Sequence, residues 1–153
     1  MKESRSIKIK LHQHIVGMLH SKIADAKQSI DSAKESRNND TKSSAGDKYE
    51  TGRAMMQIEI DKSEVQLSNA TNQLNDILKF DNEKKFQKIE PGCLVITNLE
   101  TYYISIGLGK IIVDGKIFYA ISLNSPIGLL LKDKTRGEKI SFQGRNLEIL
   151  NIE

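Results

Sequence analysis

Apolar residues recur along the first half of this chain in steps of three and four. Leu19, Ile23, Ala26, Ile30 and Ala33 form one series, which Val16 extends backwards. Tyr49, Met56, Ile60, Leu67, Ala70, Leu74 and Ile77 form a second, with Arg53 and Ser63 at its remaining seam positions. This alternation returns a stripe to one side of a helix every two turns, which is what lengthwise pairing with another helix requires. Strands repeat their faces every second residue and cannot use it. Between the two series, the stretch from Asn38 and Asn39 through Asp40, Thr41, Lys42, Ser43, Ser44 and Ala45 to Gly46 breaks the pattern with turn and capping residues. Two helices of about 30 residues joined by a short loop predict an antiparallel coiled-coil hairpin, roughly 45 Å long at the α-helical rise. Ala26, Ala33, Ser63 and Ala70 make its seam thin, so it buries little.

Composition shifts at Pro91-Gly92. Residues 1–88 contain no proline and glycine only at Gly17, Gly46 and Gly52, whereas residues 89–153 hold both prolines and the other glycines. There the period changes as well. Leu94–Thr97, Tyr102–Ile106, Ile111–Val113, Ile117–Ser122 and Ile140–Phe142 are β-branched or aromatic runs bounded by Gly, Asn or Asp, and Leu147–Ile152 reads as a closing strand. Asp114-Gly115 signals a tight hairpin. Asn124 through Leu131 predicts a short helix, with Ser125 as its cap and Pro126 at its first position. The expected class is α+β: a hairpin over residues 1–88, with helical arms at about 6–80 and its tip near 38–48, then a small antiparallel sheet domain with one short helix over 89–153.

Composition narrows the function classes. The 153 residues carry one cysteine, Cys93, which excludes an intramolecular disulfide and any multi-cysteine metal site; it reads as a small core residue. The charged N-terminus lacks the apolar stretch of a signal peptide, and no run approaches the ~18 apolar residues of a membrane helix. A cytoplasmic protein without membrane contact is expected. The net charge of +3 is mild and arises in the first half, short of the clustered basicity of a nucleic-acid-binding domain. Lys8, Lys10, Lys22, Lys27 and Lys34 alternate with acids and read as a solvated helix face. His12, His14 and His20 do not share a helix face at ligand spacing. Gly107-Leu108-Gly109 lacks the third glycine of a dinucleotide fingerprint and the Lys-Ser/Thr of a P-loop. No catalytic constellation stands out, and Tyr102, Tyr103, Phe118, Tyr119 and Phe142 read as core filling. At the hairpin tip, Asp40, Asp47 and Glu50 have two readings. They could complete the oxygen shell of a Mg²⁺ held mainly by another molecule, or they could be ordinary turn and helix-start residues.

Ile121-Ser122-Leu123-Asn124-Ser125-Pro126-Ile127-Gly128-Leu129-Leu130-Leu131, followed by Arg136-Gly137-Glu138-Lys139-Ile140, resembles the C-terminal signature of the GreA/GreB family of bacterial transcript-cleavage factors. That signature is a strand ending in Ser, then Ser-Pro-hydrophobic-Gly, then Gly-Asp/Glu before the next strand. The preceding helical hairpin and the closing Leu147–Ile152 strand are also similar, so the resemblance spans nearly the whole chain. It implies an FKBP-like C-terminal domain docked on RNA polymerase, with Ser125, Pro126, Ile127, Gly128 and Leu129 as the polymerase-binding residues and the coiled coil inserted in the secondary channel. It also implies that two acids at the tip help hold the second Mg²⁺ of the polymerase, so that the polymerase cleaves the 3′ end of backtracked RNA. The factor would be an accessory, not an enzyme, with no cofactor of its own and a monomeric state.

Asp40 matches the first acid of the family tip. Three residues later stands Ser43 where the family has Glu, and aligning Tyr49 with the family tyrosine leaves about two extra residues, so that Asp47 is the candidate second acid from a shifted position. Asp40 and Asp47 are therefore the expected catalytic and metal-holding pair, within the polymerase complex only. Lys42, Lys48, Tyr49 and Glu50 support the tip, near the 3′ end of the nascent RNA. Two alternatives stay open: a channel-binding regulator or inhibitor without cleavage activity, and a structural coiled-coil adaptor. A peptidyl-prolyl isomerase, which the FKBP-like fold suggests, would need an aromatic-lined pocket that a Trp-free chain is poorly equipped to build.

Overall fold

The computed structural model describes residues 2–39 and 46–153, with side chains over 6–39 and 50–153. Two long helices, α1 (Lys2–Asn39) and α2 (Gly46–Leu78), precede six strands and a short helix: β1 (Leu94–Thr97), β2 (Thr101–Ile104), β3 (Gly109–Val113), β4 (Lys116–Ile121), α3 (Pro126–Leu131), β5 (Lys139–Phe142) and β6 (Arg145–Ile152). The α+β class expected from the two periodicities is the observed one. The chain forms two compact units, Val16–Asn75 and Met1–Ile15 with Asp76–Glu153.

In the first unit, Leu19, Ala26, Ile30, Ala33, Ile60, Ser63, Ala70 and Leu74 are buried, following the three-four stripe. Arg37 donates to Gln57 at 2.7 Å. Ala33 shares a groove with Met56, Glu59 and Ser63, while Lys27 and Ile30 share one with Glu64 and Leu67. Positions descend along α1 as they rise along α2, so the helices run antiparallel. Arg53, assigned to the seam by spacing, is exposed.

In the second unit the strands form one sheet in the order β3-β4-β2-β1-β6-β5. All neighbours are antiparallel except β2 and β4, which pair in parallel with Tyr102 opposite Tyr119 and Ile104 opposite Ile121. The sheet is therefore mixed, where a purely antiparallel one was expected. The reason is burial. β4 places Phe118 and Ala120 in the interior and takes the inner position, leaving β3, with Lys110 and Ile112 exposed, on the edge. The β3–β4 hairpin turns at Asp114 and Gly115, whose φ values of 52° and 75° are the paired positive angles of a tight two-residue turn. Ile89, Cys93, Val95, Tyr102, Ile104, Ile127, Leu131, Ile140, Leu147 and Ile149 form the core.

Candidate functional site

The Ser-Pro-Ile-Gly segment closes a tight connection between β4 and α3. Ser122 carbonyl oxygen accepts from the Ser125 hydroxyl at 2.7 Å and from the Ser125 amide at 3.1 Å. The Ser125 hydroxyl oxygen in turn accepts from the Gly128 amide at 3.0 Å, which satisfies one of the donors a helix start leaves open. Pro126 costs nothing at this position, because its missing N–H has no partner there in any helix. A Cβ on residue 128 would stand 2.2 Å from the Ser122 carbonyl oxygen and 2.8 Å from Leu123 Cα. Only glycine lets α3 approach the end of β4 so closely.

This segment divides its residues by face. Ile127 and Gly128 are buried, and Ile127 belongs to the core together with Leu131. Pro126, Leu129 and Leu130 face outward, Leu129 being 61% exposed. Of the residues the sequence assigned to polymerase binding, Ser125, Ile127 and Gly128 are thus engaged in building the turn, and Pro126 and Leu129 present surface. The Ile127 side chain, among the residues assigned to polymerase binding, points into the core.

Two side chains of α1 had no such role in the sequence reading. Lys8 was expected on a solvated face, yet it is 2% exposed. Its Nζ donates to the Glu153 carbonyl oxygen at 3.1 Å and lies 4.6 Å from the Phe86 ring centroid. Burial lowers its pKa, opposed by the charges of Glu153 and Asp81. One turn on, His12 Nδ1 and the Tyr103 hydroxyl lie 3.0 Å apart. Burial, and then the Lys8 charge, hold His12 below its ordinary value. Tyr103, which is fully buried, is held neutral far above neutrality by desolvation. The signal that could have found this face is the step Lys8, Leu11, Ile15, whose last two members are fully buried, but a lysine at its head masks it.

Another polar cluster joins Glu100, Arg145 and Tyr102. Glu100 accepts two hydrogen bonds from Arg145, at 2.8 and 3.3 Å, and one from the Tyr102 hydroxyl. Arg145 keeps the Glu100 carboxyl below the usual carboxylate range. Cys93 is buried, and desolvation pushes its thiol up to about 11, so it is an inert core residue at neutral pH.

At the tip, Asp40 and Lys42 lie outside the described residues. Asp47, Lys48 and Tyr49 fall in the first turn of α2, with their side chains outside the described residues, and Glu50 is exposed on the same helix. Among the described residues no three His, Cys, Asp or Glu side chains converge as a metal site, and no helix is long and apolar enough to cross a membrane.

No family model and no curated protein matches this chain. A solved structure described as that of the transcription factor Gfh1 is similar over 90% of this chain and 92% of that one, at 16% identity and a TM-score of 0.34. An overlap this loose assigns no residue and no activity.

Proposed function

We propose that this chain is a Gre-like transcription elongation factor, which binds a bacterial RNA polymerase and stimulates cleavage of backtracked RNA. The observation that carries the reading is the β4–α3 turn. The residues on which the resemblance rests, Ser122, Ser125, Pro126 and Gly128, form one interlocked element that turns Leu129 and Leu130 outward. In this reading that outward face docks on the polymerase and the hairpin enters the secondary channel. Asp40 and Asp47 are hard oxygen donors of the kind Mg²⁺ takes, and they would join the shell of the polymerase's second ion. Lys42, Lys48, Tyr49 and Glu50 would orient the tip near the RNA 3′ end. The chain lends ligands and is not itself the enzyme. It acts as a monomer in the cytoplasm.

Ser43, standing where the family carries its second acid, favours one other reading: a channel-bound regulator that does not stimulate cleavage. Backtracked elongation complexes with 3′-labelled RNA separate the two. Stimulated cleavage should fall at least tenfold in Asp40→Ala and Asp47→Ala while polymerase binding persists, and Leu129→Asp should weaken binding itself. Binding without stimulation selects the regulator. Absence of binding rejects both.

A further inference from the structure

Folding joins two connections that lie far apart in the sequence. One is the run 84–90, closed on itself by the Lys84–Glu90 ion pair at 3.4 Å; the other is the α3–β5 connection, residues 132–138. The Ile89 amide donates to the Lys134 carbonyl oxygen at 2.9 Å, the Asp133 amide donates to the Ile89 carbonyl oxygen at 3.1 Å, and Lys88 pairs with Thr135 as an antiparallel bridge. Together they carry Lys84, Lys85, Lys88, Lys132, Lys134 and Arg136 against Glu90, Asp133 and Glu138. That surplus equals the +3 of the whole chain, whose other residues are balanced. The charges that flank the two runs, Lys79 and Lys139 against Asp81 and Glu83, cancel. The three acids are already engaged: Glu90 by Lys84 and Lys88, Asp133 by Lys88 at 3.4 Å, and Glu138 by the Thr135 amide and hydroxyl at 2.6 and 3.2 Å. Lys85, Lys132 and Arg136 are exposed and join no ion pair among the described residues.

We infer that this basic surface extends the outward face of α3 and docks an acidic stretch of protein, which sets apolar side chains against Leu129 and Leu130 and carboxylates against Lys132, Arg136 and Lys85. The inference rests on the polymerase reading above and adds to it the chemistry of the polymerase surface that α3 meets. Continuity comes from the helix itself. Lys132 is its C-cap and stands three residues after Leu129, the spacing that puts two side chains on one side of a helix. Between Asp114 and Asp133 the sequence has no acid, so nothing on α3 or on the β4–α3 turn offsets these cations. The residues present favour protein over nucleic acid. A phosphate backbone makes no use of exposed leucines. The one aromatic ring in either connection, Phe86, is half-buried with the Lys8 and Lys84 ammonium groups 4.6 and 5.2 Å from its centroid, so it offers no platform for a base. A second copy of the chain fits poorly, because the same cations would meet across a twofold axis. What such a surface supplies is chiefly speed: exposed charges steer a partner of opposite sign into place and add little to the final affinity.

Association of the full-length chain with RNA polymerase, followed as salt is raised from about 0.05 to about 0.3 M, tests this. Wild-type binding is measured first, and its association should slow at least fivefold over that range. The Lys132→Glu, Arg136→Glu double variant changes two exposed side chains. It should keep its near-UV circular dichroism, associate at least fivefold more slowly at low salt with a flatter salt dependence, and change its dissociation rate less than its association rate. Lys132→Gln, Arg136→Gln should fall between it and the wild type, and carries the test if the charge reversal disturbs the fold. Lys110→Glu, Lys116→Glu makes the same charge change at exposed positions of β3 and β4 and should associate within about twofold of the wild type. A photo-crosslinking side chain at position 132 should map to a polymerase segment rich in Asp and Glu. Unchanged association of both 132/136 variants, an equal loss in the 110/116 variant, or capture of a basic or uncharged segment would each overturn the inference while leaving the polymerase reading in place. Tight binding of the free chain to an RNA oligonucleotide, lost in the 132/136 variants, would overturn it in favour of nucleic acid. A wild-type chain that does not bind polymerase removes the polymerase reading and this inference together.

Discussion

The two units hold themselves together by different means. In the Val16–Asn75 unit, half of the buried positions among the described residues are Ala or Ser, at Ala26, Ala33, Ser63 and Ala70, so each turn contributes little apolar area. Its stability is spread thinly along its stretches of α1 and α2. The sheet unit concentrates branched and aromatic side chains around Tyr102, Ile104, Leu131 and Leu147, and locks its turns with side-chain hydrogen bonds. Few positions of the first unit bury a large side chain. The other has positions at which a single atom matters.

Gly128 is the sharpest of these, and it should show the largest effect. Gly128→Ala places a methyl group against backbone atoms that cannot give way, and should cost the sheet unit about 3 kcal/mol or more. Near-UV circular dichroism reports this unit, which contains Tyr102, Tyr103 and Tyr119, while far-UV ellipticity is dominated by the long helices. In urea, the near-UV transition should move to lower concentration ahead of the helical one. If both shift together, the units unfold as one and the contrast drawn above fails.

Lys8 gives the next effect, and its sign depends on the replacement. Lys8→Met should stay within about 1 kcal/mol of the wild type: it removes a buried charge, and the Glu153 carbonyl oxygen still accepts from the Leu94 amide at 2.8 Å. Lys8→Glu should lose about 2–3 kcal/mol, because an unpaired carboxylate would then face that carbonyl. Denaturant midpoints of the two variants check both values. Equal losses would show that Lys8 is held by its hydrogen bond rather than merely accommodated.

The smallest effect is one of pH. Between the lowered pKa of His12 and the unfolded value of 6.5, the unfolded chain binds more protons than the folded one. The stability that depends on neutral His12 is therefore complete above 6.5 and is lost as pH falls through that window. The melting temperature should decline on acidification from about pH 7 to about pH 5, and His12→Gln should flatten the decline.

Much of this architecture was legible in local patterns. Every strand run bounded by Gly, Asn or Asp became a strand to within a few residues, and Asp114-Gly115 became the turn it signals. Ser125 and Pro126 opened α3 as capping rules require. The β5–β6 turn escaped notice because Gln143, with φ of 51°, shares the left-handed conformation with Gly144 although glutamine is no turn signal. The candidate site was legible unevenly. The importance of Ser125 and Gly128 came from resemblance, but the atom-level cause, a carbonyl 2.2 Å from a would-be Cβ, depends on where β4 ends.

Periodicity, turn residues and caps act over a few neighbouring residues, so the sequence alone determined helix against strand and the order of elements. It could not determine what each face meets. The parallel pairing of β2 with β4, the burial of Lys8, the contact of His12 with Tyr103 and the exposure of Met55, Ile58 and Val65 were decided by tertiary structure. Each depends on residues distant in sequence, or on their absence, and on the free energy of removing a particular side chain from water beside them.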